Sequence, residues 1–211
     1  MTTLPAFDEL NNIRTGLADI TADLVAELAT SNGERGRKRC EDTIFELLTM
    51  GYVYGLTVAG LDLQADIPVD STRMNERAWE PTAGEDFAER LTAHINAAQA
   101  ALATETPERV TERLTNELAV VAETETHRTT NEGILDAGEW YEGNTGRRVL
   151  KRWETMEDDR VRDPHWVLQG AEVPLDAYFY SDGDKALYPG GFSRADLNVN
   201  CRCWTTLVPA E

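Results

Sequence analysis

Apolar residues recur at steps of three and four along the first part of the chain: Phe7, Leu10, Ile13, Leu17, Ile20, Leu24 and Leu28. That period places them on one face of an amphipathic helix. Ser31-Asn32-Gly33 closes it, with Gly33 suited to a left-handed closing residue. A second helix is predicted from about Arg37 to Leu63, and after Phe45 it is apolar nearly all round, which predicts a central position. Within it Gly51, Gly55 and Ala59 fall four apart, a spacing that lets another helix backbone approach closely. Tyr52 and Tyr54 add contact area there. Burial in the chain's own bundle is the commoner cause of such a run; docking on another subunit is the alternative.

Gln64 to Gly84 is polar, is interrupted by Pro68 and Pro81, and reads as a loop or linker. Thr82 and Glu85 form a capping-box pattern. Phe87, Leu91, Ile95, Ala98 and Leu102 predict a third helix. Thr106-Pro107 restarts the chain as cap and first helical residue, and Val110, Leu114, Leu118 and Val121 give a fourth helix that carries on into Glu125 and His127.

From Gly143 the period changes. Val149 to Trp153 alternates as a half-buried strand does. Ala171 to Tyr180 predicts a second strand region and Asn198 to Val208 a final strand. Asp163-Pro164, Gln169-Gly170, Ser181 to Asp184 and Pro189-Gly190-Gly191 supply the turns. Short strands after a run of helices define an α+β fold: a helical N-terminal half followed by a small α+β module with a short, mostly antiparallel sheet. The expected division is a helical region over 1–105 and the module over 106–211.

Charge narrows the choice of partners. The net charge is -18 and the pI about 4.5, which repels bare nucleic acid and anionic membranes at ordinary ionic strength. Lys38, Lys151 and Lys185 are the three lysines, and this acidic, lysine-poor composition suits a high-salt environment, where screening shortens the reach of repulsion to ~3 Å at 1 M. The basic islands, Arg35 to Arg39 and Arg147 to Arg152, are then expected to pair with nearby carboxylates. The start has no basic or apolar leader, so no signal peptide is expected. The uncharged run Leu47 to Leu61 falls short of the ~20 residues of a spanning helix. Three cysteines, with Cys40 far from Cys201 and Cys203, make no secreted disulfide framework.

The candidate chemistry lies near the C-terminus. Cys201 and Cys203 sit two apart, so on a strand they face one side, and a Cys-x-Cys pair offers half of a zinc site. His165 is the one further ligand in view. With a fourth missing, buried thiols packed as small apolar groups are the preferred reading, and no cofactor is expected, zinc being the exception that these three candidates would allow. Asp158, Asp159, Arg160 and Arg162 supply charges that need partners. A polar network of Asp159, Arg160, His165, Asn200, Cys201, Arg202 and Cys203, locking the turn to the last strand, is preferred over an Asp159–His165 acid/base pair, because no nucleophile with its base is evident. Glu123 and His127 share one helix face, Thr124 and Arg128 another. Either a solvated face or an intrachain hydrogen bond accounts for them.

The ordered set Lys151-Arg152-Trp153, Asp158-Asp159-Arg160-x-Arg162-x-x-His165, Gly170, Val173-Pro174-Leu175-Asp176, Tyr188-Pro189-Gly190 and Asn200-Cys201-Arg202-Cys203 resembles the Mu F-like family of phage head morphogenesis proteins. Glu123 to Arg128 resembles the family's preceding helical segment. The resemblance runs from about Leu118 to Val208 and leaves the first half unmatched. Some members carry Cys-x-x-Cys where this chain has Arg162 and His165. The resemblance implies a non-enzymatic minor head protein of a tailed virus, found in the virion and, during assembly, in the host cytoplasm. Its implied partners are the portal and major capsid proteins and, where salt screens repulsion, packaged double-stranded DNA, with no membrane. Gly51, Tyr52, Tyr54, Gly55 and Ala59 would be the docking helix. The rival is a metal-dependent hydrolase using His165, Cys201 and Cys203. A toxin-associated module is a third reading, since similar domains occur fused to effector domains, and it is set aside because the chain stops at Glu211.

Overall fold

The computed structural model describes the backbone of residues 6–79 and 87–210, and side chains from Leu17 onward. Phe7, Leu10 and Ile13 as stripe positions, and the Thr82–Glu85 capping box, lie outside what is described. The elements are α1 (Ala6–Leu28), α2 (Glu34–Leu63), α3 (Ser71–Trp79), α4 (Phe87–Ala101), α5 (Pro107–Thr145), β1 (Val149–Glu154), α6 (Asp163–Trp166), β2 (Glu172–Pro174), β3 (Phe179–Ser181), β4 (Asp184–Ala186), α7 (Ala195–Asn198) and β5 (Trp204–Pro209). The fold is α+β.

Contacts divide the chain into two compact units, residues 1–46 with 85–123 and residues 47–84 with 124–211. The first unit is helical. Its buried positions follow the three-four period: Leu17, Leu24 and Leu28 on α1, Cys40 and Ile44 on α2, Leu91, Ile95 and Ala98 on α4, Leu114 and Leu118 on α5. Gly33 closes α1 at φ 67°, as its position after Ser31-Asn32 predicts. The basic island here is spent on carboxylates, Arg35 on Glu27 at 2.7 Å, Lys38 on Asp42 at 2.6 Å and Arg39 on Asp23 at 2.8 Å.

In the second unit the C-terminal stretch of α2 packs on α5 with almost no spacer. A Cβ on Gly55 would strike the Thr130 carbonyl, one on Gly51 would sit 2.8 Å from the Thr126 carbonyl, and one on Gly133 would strike the Tyr52 carbonyl. The small residues thus serve an internal helix pair, and Tyr52 and Ala59 are buried in the same core. The central position predicted for α2 is half right: Met50 and Leu61 are 62% and 68% exposed. By length and composition α2 is also apolar enough to cross a membrane, which the shorter run Leu47 to Leu61 did not suggest. Its Leu48, Tyr52, Leu56, Ala59 and Leu63 face is nonetheless buried within protein.

The loop expected over Gln64 to Gly84 contains a helix, α3. Asp70 accepts bonds from the Thr72 and Arg73 amides at 2.9 and 3.2 Å and so caps it. Its polarity concealed it, because Arg73 and Arg77 are its inward residues and meet carboxylates of α5.

β1 is the centre of an antiparallel sheet in the order β2-β1-β5, with Lys151 opposite Val173 on one side and Leu207 on the other. Val149, Lys151 and Trp153 point inward. β3 and β4 form a separate hairpin whose turn residues, Asp182 and Gly183, both have positive φ, 49° and 76°. The region expected to be one strand from Ala171 to Tyr180 is therefore two, separated by a turn. The last strand starts at Trp204 rather than Asn198, because α7 and a left-handed Asn200 (φ 56°) precede it.

Candidate functional site

Many of the buried polar groups of the second unit lie on α5, between Thr124 and Asp136. Arg128 is buried and forks onto Glu125 at 2.8 Å and Glu132 at 2.7 Å, one turn to either side, and it also donates to the Arg77 carbonyl at 3.0 Å. Tyr188 donates its hydroxyl to Glu132. Burial would lower the Arg128 pKa, but the Glu132 and Glu125 carboxylates reverse this and hold it above its ordinary value. One turn further on, Asp136 takes Arg73 at 2.5 Å, Arg77 at 2.9 Å and the Tyr52 hydroxyl at 2.8 Å. Burial pushes that carboxyl up, yet the Arg77 and Arg73 guanidiniums and Tyr52 hold it below the usual range. Sequence reading placed Arg128 on a solvated face or in an intrachain bond; it is in the latter. The signal available was opposite charge at i,i+3 and i,i+4 spacing, Glu125 with Arg128 and Arg128 with Glu132.

α5 also grips the start of the last strand. His127 Nε2 lies 2.5 Å from the Cys203 carbonyl oxygen, and Asn131 Oδ1 accepts the Thr205 amide at 2.9 Å. These contacts hold Cys201 and Cys203 in place although neither lies in β5 proper. Both sulfurs turn to one side, as their spacing predicts, and both meet His165. Its Nδ1 is 3.5 Å from Cys201 Sγ and 3.4 Å from Cys203 Sγ. α6 presents His165 after Pro164 at the helix start, and the Ser181 hydroxyl donating to the Pro164 carbonyl pins that turn. The imidazole stacks on Phe192 and meets Trp153 edge-on, with centroids 5.7 and 5.6 Å apart. The Cys203 thiol beside it holds Cys201 well below the usual thiol range against burial, and the same contact, with burial, raises Cys203.

The outer polar residues are arranged differently from the expectation. The Arg202 guanidinium forks onto Asp158, at 2.5 and 2.8 Å, and Asp159 is exposed. Arg160 is also exposed, 3.7 Å from Asp158. Asn200 is exposed and serves as the left-handed turn residue. Asp158 has its carboxyl held at about 2 by Arg202. Arg162 reaches the Val199 carbonyl, a second tie from the turn to the Cys-x-Cys segment. The supposed pair Asp159 and His165 is not assembled, one being exposed and the other buried among sulfur and aromatic rings.

Lys151, counted by its charge in a basic island, is buried instead. Its Nζ donates to the Leu175 carbonyl at 2.6 Å, and burial pulls its pKa down to about 8. Arg152 points the other way and pairs with Glu172 across the strands at 2.6 Å. Arg148 meets Glu142 at 3.1 Å.

Such an arrangement defines an internally braced α+β scaffold whose polar chemistry faces inward. The model of the family described as phage Mu protein F like protein matches residues 82–206, and the chain belongs to this family of phage head morphogenesis proteins. It is also similar to an NAD(+)--arginine ADP-ribosyltransferase EFV of Enterococcus faecalis (strain ATCC 700802 / V583), 36% identical over 92 residues, which are 42% of this chain and 18% of that protein. The chain thus spans less than a fifth of the length of that relative. No solved structure matches significantly. The hydrolase alternative finds no support in these relations, and its three side chains are all buried.

Proposed function

We propose that this chain is a minor head protein of a tailed virus, one that joins the portal or capsid during head assembly and stays in the virion as a structural component without catalysing a reaction. The observation that carries the reading is the family match over residues 82–206. The inward-facing polar network is consistent with it: Arg128, Asp136, Arg202 and the sulfur–imidazole cluster each bind segments of the chain to one another. The segment 1–105 is the docking part in this reading. Of the docking helix named from sequence, Gly51, Tyr52, Gly55 and Ala59 are used in internal packing, so the surface left on α2 is its exposed apolar side with Met50 and Leu61. Direct contact with packaged double-stranded DNA is not favoured, since six basic side chains of the two islands meet carboxylates or lie buried: Arg35, Lys38, Arg39, Arg148, Lys151 and Arg152. The test is affinity capture of the cognate portal protein in high salt, together with mass spectrometry of purified virions. Recovery of the chain in both supports the reading; absence from both refutes it.

A further inference from the structure

We infer that His165, Cys201 and Cys203 form a buried site for one closed-shell thiophilic cation, zinc(II) or copper(I), that ties α6 to the segment entering β5. The three donor atoms lie within 4.8 Å of one another, and all three residues are buried. The spacing fits coordination. Zinc–sulfur and zinc–nitrogen bonds of about 2.3 and 2.0 Å at a tetrahedral angle put nitrogen and sulfur about 3.5 Å apart. The two distances from His165 Nδ1 are 3.5 and 3.4 Å.

A hydrogen-bond account explains one of these contacts and not both. Nδ1 has a single lone pair in the plane of its ring, so it accepts one thiol proton, or, carrying its own proton, donates to one sulfur. The second sulfur's own hydrogen bond runs to the other thiol and not to this nitrogen, which it nonetheless approaches as closely. A cation at the centre receives one lone pair from each of the three atoms. The ring is also fixed in the orientation a ligand needs, between Phe192 and the edge of Trp153.

Among the described residues the cluster has three members. Copper(I) is satisfied by three such soft donors, while zinc(II) would take a water as a fourth. In either case the site holds the fold together and does not turn over a substrate, since His165 is 1% exposed. The cation would bridge positions 36 and 38 residues apart, a cross-link where no disulfide exists. This inference is independent of the head-protein reading, because it concerns the fold and not its partners.

The experiment uses the full chain, purified reduced in high salt without a metal-chelating tag. It is loaded with zinc(II) or copper(I) separately, dialysed, and measured for metal by mass spectrometry, with cobalt(II) as an optical surrogate. Retention of roughly one cation per chain, with a near-ultraviolet thiolate-to-cobalt charge-transfer band, is expected. Retention of zinc or of copper identifies which ion the site prefers. Cys201→Ser and His165→Asn should each lower retention at least tenfold. Should those variants fail to fold, the wild-type chain answers alone: a chelator should make two of its three thiols newly reactive, with Cys40 as the unaffected control. No retention of either ion and no charge-transfer band overturns the site, as does retention unchanged in Cys201→Ser.

Discussion

At the scale of single residues, the stability of the second unit depends on charges kept from water only because each has a partner. Removing Arg128 leaves the Glu125 and Glu132 carboxylates facing each other in the interior. Arg128→Met should cost about 3–5 kcal/mol in urea unfolding, the range for breaking a buried ion pair. Arg194→Met, where the lost pairs with Asp182 and Asp196 are exposed and screened by solvent, should leave stability nearly unchanged. Lys151 gives a prediction in pH. Its folded pKa, about 8, lies below the ordinary 10.5, so between those values the unfolded chain holds the proton and the folded chain has released it. Stability from this group therefore rises with pH from about 8 to about 10, by on the order of 2–3 kcal/mol, and is flat below. Measured as the difference in unfolding free energy between wild type and Lys151→Met, the rise should appear in the wild type alone; parallel pH curves would refute it. The alternation around Lys151 was legible in sequence, but its direction was not. Charge suggested the outer face, whereas the register with Val173 and Leu207 puts it inside, where the Leu175 carbonyl satisfies it.

At the scale of elements, the helix pair α2–α5 in the second unit is set by glycine. Gly55→Ala or Gly133→Ala forces a methyl group into the opposing backbone, which cannot swing aside as a side chain can, and should destabilise by about 3 kcal/mol or more. Gly143→Ala, on α5 with nothing within 4 Å of the added carbon, should instead stabilise by ~0.5–1 kcal/mol. Thermal melts of the three variants check both signs. The apolar stripes of α1, α2 and α4 were legible to within a few residues, because the three-four period survives whatever they pack on; α5 runs on to Thr145, well past the His127 at which its reading stopped, because its continuation is largely polar. α3 was missed because its inward face is arginine, and periodicity of apolar residues does not register an element held by ion pairs. The docking reading of Gly51 and Gly55 shows the same limit from the other side: a sequence reveals that a backbone will come close, but not whether that backbone belongs to the same chain. The Cys-x-Cys pairing and the approach of His165 were within reach; the choice of Asp158 over Asp159 required the turn's geometry.

At the scale of the molecule, 38 acidic side chains against 20 lysines and arginines repel one another over about 10 Å at 0.1 M salt and only ~3 Å at 1 M. The melting temperature should therefore rise by several degrees between about 0.1 M and 2 M potassium chloride, beyond the range in which screening alone still changes much. A melting temperature that falls with salt would refute adaptation to brine. The family membership rests on residues 82–206.

The sheet has a temporal consequence. β5 runs antiparallel to β1 from Val149–Pro209 through Glu154–Trp204, and its Leu207 amide meets Asp62, 145 positions earlier in the sequence. During synthesis the ribosome releases α2, α5 and β1 well before that strand exists. In the interval one flank of β1 has open hydrogen-bonding groups and an uncovered tryptophan, the kind of edge that recruits foreign strands. A nascent chain of this protein should therefore need protection until its final strand emerges, and a stop codon ahead of Trp204 should yield inclusion bodies in place of a soluble fragment.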